Sequence, residues 1–147
     1  MSTVLDTLRN AFPGRLLNCE ERRGARIYCD AAPEVIVDAA RELMDGHRAR
    51  FITATGTDTR NAVEILYHFS IDGEGAVVSL RVTLPKDRLE VDSLAPLIKA
   101  AEWVEREIHE MLGVRFRGHP DPRRLLLADD WPEGSYPLRR DGEGGQS

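Results

Sequence analysis

Apolar residues recur along this chain in two periods, and the switches between them mark its elements. Val4, Leu5, Leu8, Ala11 and Phe12 fall at helical spacing while Asp6 and Arg9 lie off the stripe, so a short first helix ends at Pro13-Gly14. Leu16 to Glu20 and Arg26 to Cys29 flank Arg23-Gly24 and predict a hairpin. Asp30 stands where it can cap a second helix with Pro33 in its first turn. Val35, Ile36, Ala39, Ala40 and Leu43 give that helix its buried stripe, and Gly46 follows its end. Three strands come next, Arg50 to Thr55, Ala62 to Ser70 and Ala76 to Thr83. Gly56, Asp58 and Asn61 lie in the first connection, and Asp72-Gly73-Glu74-Gly75 forms a tight turn in the second. Pro85 to Asp92 reads as a connector.

A long helix is predicted from a cap at Ser93, with Pro96 in its first turn, to a left-handed stop at Gly113. Leu94, Leu97, Ile98, Ala101, Val104, Ile108, Met111 and Leu112 gather on the arc that faces the sheet. Glu105 falls inside that arc, where an unpaired carboxylate costs several kcal/mol or stays protonated; it needs a partner, most simply an arginine. Trp103 falls on the opposite side with Arg106, Glu107 and Glu110 around it, the composition of an interface anchor. The alternative is that the chain from Val114 folds back and covers it. The order of elements (helix, two strands, helix, three strands, helix) predicts an α+β fold, a two-layer domain with helices packed on one mixed, mostly antiparallel sheet.

Composition narrows the function classes. The 147 residues, 41% apolar and 31% charged, suffice for one core and a tail. The net charge of -5, with basic residues dispersed among acids, excludes the electrostatic footprint of a nucleic-acid binder. No apolar run approaches the ~18 residues of a membrane helix, and the N-terminus lacks the pattern of a signal peptide, so a soluble intracellular chain is expected. Lys86 and Lys99 are the only lysines; the arginine excess fits either interface ion pairs or a coding bias. Cys19 and Cys29 are placed on adjacent strands as reduced packing residues, and two cysteines are too few for an iron–sulfur cluster.

Self-contained chemistry finds little support. His109-Glu110 would need a second histidine one helical turn after the first to bind zinc, and position 113 is glycine. The glycine-rich spots read as turns, and neither a Ser, His and Asp set nor a carboxylate pair can be assembled.

Beyond Gly113 periodicity ends. Pro120, Pro122, Pro132 and Pro137 restrict the backbone while Phe116, Leu125 to Leu127, Trp131 and Tyr136 supply anchors, which suits wrapping along a partner. The expected organisation is a domain over 1–113, an extended partner-docking segment over 114–141 and a disordered tip over 142–147.

Glu105-Arg106-Glu107, Glu110-Met111-Leu112-Gly113, Gly118-His119-Pro120-Asp121 with Arg123-Arg124, Trp131-Pro132-Glu133-Gly134 and Pro137-Leu138-Arg139-Arg140-Asp141 closely resemble the signature of the C-subunit family of respiratory complex I, the NADH:quinone oxidoreductase. The same family includes the equivalent subunit of membrane-bound, energy-converting NiFe hydrogenases. The resemblance covers roughly the last third of the chain. It implies a non-catalytic, cofactor-free and metal-free subunit of the peripheral arm, on the cytoplasmic face of the inner membrane. There it scaffolds a large hydrogenase-like subunit beside the quinone or NiFe site, with iron–sulfur subunits as neighbours. By the matched residues, Trp103, Glu105, Arg106, Glu107, His119, Arg123, Arg124, Trp131, Arg139 and Arg140 would form the partner interface. His109 departs from the family, which often has an aromatic residue there, and the chain stops soon after the last block.

On that assignment, Glu105→Ala and Arg123→Ala should lower complex assembly more than domain stability. A rival from a different class is a stand-alone enzyme with His119 as base and Arg123 and Arg124 gripping an anion. A third reading buries the same surface in a homodimer. The direction in which His119 points separates the first two.

Overall fold

The computed structural model describes residues 3–120. Its elements are α1 (Thr3–Ala11), β1 (Leu16–Arg22), β2 (Arg26–Ala31), a 3-10 turn (Pro33–Val35) leading into α2 (Ile36–Arg41) and a wider π turn (Glu42–Gly46), β3 (Arg50–Asp58), β4 (Ala62–Ile71), β5 (Ala76–Pro85), β6 (Glu90–Asp92), α3 (Ala101–Leu112) and β7 (Arg115–Arg117). The main sheet has the order β1-β2-β5-β4-β3, antiparallel throughout except for the parallel pair β2-β5. This is the mixed, mostly antiparallel α+β arrangement that the periodicity predicts.

Strict alternation builds the sheet. Along β4, Val63, Ile65, Tyr67, Phe69 and Ile71 are buried while the residues between them are half-exposed, so one face is apolar and must be covered. Val78, Leu80, Val82 and Leu84 of β5 continue that face, and Ile36, Ala39, Ala40 and Leu43 of the second helix with Ala101, Ile108 and Leu112 of α3 lie in the same core. Gly75, at φ +63, closes the β4–β5 turn in a conformation that a side chain would disfavour.

Four expectations are corrected. Asp30 does not cap the second helix; it lies within β2 and accepts hydrogen bonds from Asn18 Nδ2 and Arg81 Nε, both at 2.7 Å. Ala32, without a side-chain cap bond, precedes Pro33 instead. Gly56 belongs to β3 rather than to the turn after it. The stretch Pro85 to Asp92 contains a strand, β6, which pairs in parallel with β7, and this places Val114 and Phe116 in the core rather than at the start of a free segment.

The long helix is the fourth correction: α3 begins at Ala101, not after Ser93. Its end is as predicted, with Gly113 at φ +80 and its N–H donating to the His109 carbonyl at 2.9 Å. The early residues form separate turns, for a reason that lies in Glu105. Glu105 Oε2 accepts the Leu94 N–H at 2.7 Å. In an unbroken helix those residues would stand roughly 16 Å apart along the axis. The bond therefore requires residues 93–100 to fold back beside α3.

Candidate functional site

α3 presents Ala101, Glu105, Ile108 and Leu112 along one buried line, and the carboxylate in that line is met by a made-to-fit receptor. Ser93 Oγ donates to Glu105 Oε1, the Leu94 N–H donates to Oε2, and Ser93 Oγ in turn accepts the Ala95 N–H at 2.9 Å. The His119 imidazole, with its side chain 3% exposed, closes the other side: Nε2 donates to the Glu102 carbonyl at 2.9 Å and stands 3.9 Å from Glu105 Oε1. Among the described residues, then, the partners of Glu105 are a hydroxyl, an amide and a histidine rather than an arginine. Burial raises the Glu105 acid above its ordinary value, against the lowering effect of Ser93, Leu94 and His119.

These contacts fasten three parts of the chain together. His109 adds a fourth point, donating from Nδ1 to the Val114 carbonyl at 2.8 Å. Arg117 then bridges Glu90 at 3.3 Å and Asp92 at 2.9 Å across β6. The result fixes the backbone from Gly113 to Pro120 against α3 and bounds a cleft of about 340 Å³ lined by Arg106, His109, Arg115, Phe116, Arg117 and His119 among others.

The sequence-predicted interface residues separate into groups. Trp103 is 54% exposed, and the Arg106 guanidinium stacks on its ring at 5.7 Å, so the anchor and its cation stand together on the outer face of α3. Glu107 is half-exposed, one residue further on. Glu105 and His119 turn inward, and Glu110, expected in the charged ring around Trp103, is buried at 2% exposure. Arg123, Arg124, Trp131, Arg139 and Arg140 lie outside the described residues. Sequence reasoning misses Ser93 as a ligand of Glu105, because a serine ahead of a helical stripe reads as a cap. It also misses β7, whose three residues are too few to show a period.

His119 does not act as a free base here. Its Nε2 is spent on the Glu102 carbonyl, and its ring lies against a carboxylate rather than toward solvent. Elsewhere, His68 Nδ1 and Ser79 Oγ lie 2.8 Å apart on the sheet, with burial lowering the His68 pKa. Cys29, buried in β2 beside Cys19 across the hairpin, is a free thiol whose pKa burial raises.

Comparison with known proteins adds to this geometry. Residues 29–147 match the family model described as "Respiratory-chain NADH dehydrogenase, 30 Kd subunit". The C subunit of the NADH-quinone oxidoreductase of Roseiflexus sp. (strain RS-1) is 36% identical over 149 aligned residues, covering 95% of this chain and 82% of that one. Hydrogenase-4 component G of Escherichia coli (strain K12) is 32% identical over 142 residues, covering 94% of this chain; the chain spans about a quarter, 26%, of that longer relative. Among solved structures, a chain of the membrane-bound sulfane sulfur reductase, an archaeal respiratory membrane complex, shares the fold with a TM-score of 0.83 at 22% identity, over 94% of this chain and 82% of that one.

Proposed function

The chain belongs to the family of the 30 kDa subunit of respiratory-chain NADH dehydrogenase, and on that premise we propose that it is a non-catalytic subunit of the peripheral arm of an NADH:quinone oxidoreductase-like complex. Its partner in this reading is a large hydrogenase-like subunit beside the quinone site, with iron–sulfur subunits as further neighbours, and the complex sits at the cytoplasmic face of the inner membrane. Among the described residues no helix is long and apolar enough to cross a membrane. Attachment would then run through protein partners.

The observation that carries the reading is Trp103. A large aromatic more than half exposed on α3, with an arginine stacked on it, is the composition that binding hot spots share, while the carboxylate two residues on is consumed in holding the fold. The comparable identity to hydrogenase-4 component G supports a second reading, the equivalent place in a membrane-bound NiFe hydrogenase. Affinity capture of the tagged full-length chain from its own host, followed by mass spectrometry, tests both. Recovery of a quinone-site large subunit supports the first, recovery of a NiFe large subunit the second, and recovery of the chain alone overturns the role.

A further inference from the structure

The β1–β2 hairpin pairs evenly at its ends and unevenly in its middle. Leu16 opposes Ala31 and Leu17 opposes Asp30, and the register resumes with Glu20 opposite Tyr28. Two residues of β1, Asn18 and Cys19, therefore stand against the single residue Cys29, which makes a bulge. Asn18 takes a positive φ of 52° there, and its Nδ2 donates to Asp30 Oδ2 at 2.7 Å.

That bond decides where Cys19 points. By alternation Asp30 projects from the face of β2 opposite to Ile27, Cys29 and Ala31, which are all buried in the core. Asn18 is drawn to the Asp30 side, and Cys19 packs instead against the core cluster that holds Cys29. The two thiols meet on one face of the hairpin, where burial first, and the Cys19 side chain second, raise the Cys29 pKa. Opposed residues of an antiparallel pair have Cα atoms about 4.5–5.5 Å apart, within the roughly 4.4–6.8 Å that a disulfide spans. Both thiols are free, and they are the only cysteines in the chain.

The two differ in access. Cys29 is 2% exposed, whereas Cys19 is half-buried on an edge strand whose outer side pairs with no strand among the described residues. The Arg9 guanidinium donates to the Cys19 carbonyl at 2.8 Å, so a fixed cation stands at the pair. Glu20 and Glu21 follow Cys19 directly and are exposed. An anionic oxidant such as a glutathione-type disulfide meets those carboxylates on approach, while a hydroperoxide is small and uncharged.

We propose that Cys19 and Cys29 are a reversible oxidation site for hydroperoxides, in which Cys19 takes the oxidant and Cys29 resolves it into a disulfide across the hairpin. The Cys19 sulfur attacks one peroxide oxygen; the O–O bond breaks, the sulfur is oxidised to a sulfenic acid, and the peroxide is reduced, its other oxygen leaving as water or alcohol with the thiol proton. The Cys29 sulfur then attacks the Cys19 sulfur; the S–S bond forms, the S–O bond breaks, and the hydroxyl leaves with the Cys29 proton as a second water. In a reducing compartment the pair rests as thiols and closes only when oxidant arrives. Resolution by a thiol already at hand spares Cys19 from the irreversible sulfinic and sulfonic acids.

The test uses the full-length chain, reduced, freed of reductant and exposed to hydrogen peroxide, with remaining thiols alkylated and the products mapped by mass spectrometry. The expected product is a monomer lighter by two hydrogens, with the peptides of Cys19 and Cys29 linked and both thiols restored by dithiothreitol. Cys29→Ser should accumulate sulfenic acid on Cys19, trapped by dimedone, and Cys19→Ser should slow oxidation of the remaining thiol at least about tenfold. Thermal melts of the reduced variants check that each is folded, and Cys29→Ala replaces Cys29→Ser if the hydroxyl is not tolerated in the core. Retention of both thiols at a peroxide exposure that fully oxidises free cysteine would overturn the proposal. So would a disulfide linking two chains, a product that dithiothreitol does not reverse, or a Cys19→Ser chain that reacts as fast as wild type.

Discussion

Glu105 is charged where helical spacing asks for a hydrophobe, and its position is sound because a hydroxyl, an amide and an imidazole converge on it from parts of the chain that are distant in sequence. Burial makes the native state hold its proton more tightly than the unfolded chain does. A raised acid contributes stability that is complete below its unfolded value, near 4.5, and is lost as pH rises through the folded one. Glu105→Gln keeps an acceptor for Leu94 and carries no titrating proton. It should therefore stay within about 1 kcal/mol of wild type and gain on it as pH climbs from about 5 to about 7.5, which urea melts at both pH values will show. Glu105→Ala abandons the Leu94 amide and the Ser93 hydroxyl and should cost about 2 kcal/mol or more at either pH. This reverses the expectation from sequence that the substitution acts mainly on assembly. Tyr67 supplies a converse case. Its hydroxyl is buried without a hydrogen-bond partner among the described residues, and burial and the nearby Glu105 charge hold it un-ionised. Removing an unsatisfied buried hydroxyl should not harm the fold, so Tyr67→Phe should match wild type in a denaturant melt or exceed it by up to about 1 kcal/mol.

At the scale of elements, the sequence makes legible whatever repeats. β4 and β5 alternate over ten residues each, and the β3–β4–β5 meander follows from that alternation and its turn residues alone. The start of α3 cannot be read that way. Leu94, Leu97 and Ile98 continue its stripe, and only the long-range bond from Leu94 to Glu105 shows that they cannot continue its axis. β6 and β7 are equally hidden, since three residues have no period and their pairing joins positions 25 apart. Gly56 reads as a turn residue because glycine breaks a strand pattern. Its actual cause is contact: a Cβ there would sit 2.6 Å from Leu112 Cδ1 and 3.4 Å from Ile108 Cγ2, so the bare backbone lets α3 lie down on β3. Gly56→Val should push that helix away and destabilise the domain by about 2 kcal/mol, measurable by denaturant melt. Phe116→Ala, in a stretch that sequence assigns to docking, should cost about 3 kcal/mol, and a loss of that size would mark β7 as part of the folding unit.

For the whole molecule, the division between inward and outward residues of α3 decides what the chain can offer a partner. Glu105 and His119 are committed to the fold, and five of the ten interface candidates lie beyond Pro120. Trp103 with Arg106 is what the described surface presents. Because Trp103 is 54% exposed, truncating it removes little buried area from the isolated domain, and Trp103→Ala should leave its stability within about 0.5 kcal/mol of wild type. If the ring fills a pocket on the large subunit, the same truncation should weaken association by about 2 kcal/mol, roughly thirtyfold in Kd. The two quantities separate the possibilities. An anchor loses binding and keeps stability, whereas a ring covered by its own chain loses stability. Paired titrations of wild type and Trp103→Ala against the captured large subunit, with melts of the same samples, would therefore identify α3's outer face as the contact, or exclude Trp103 as its anchor if binding is unchanged.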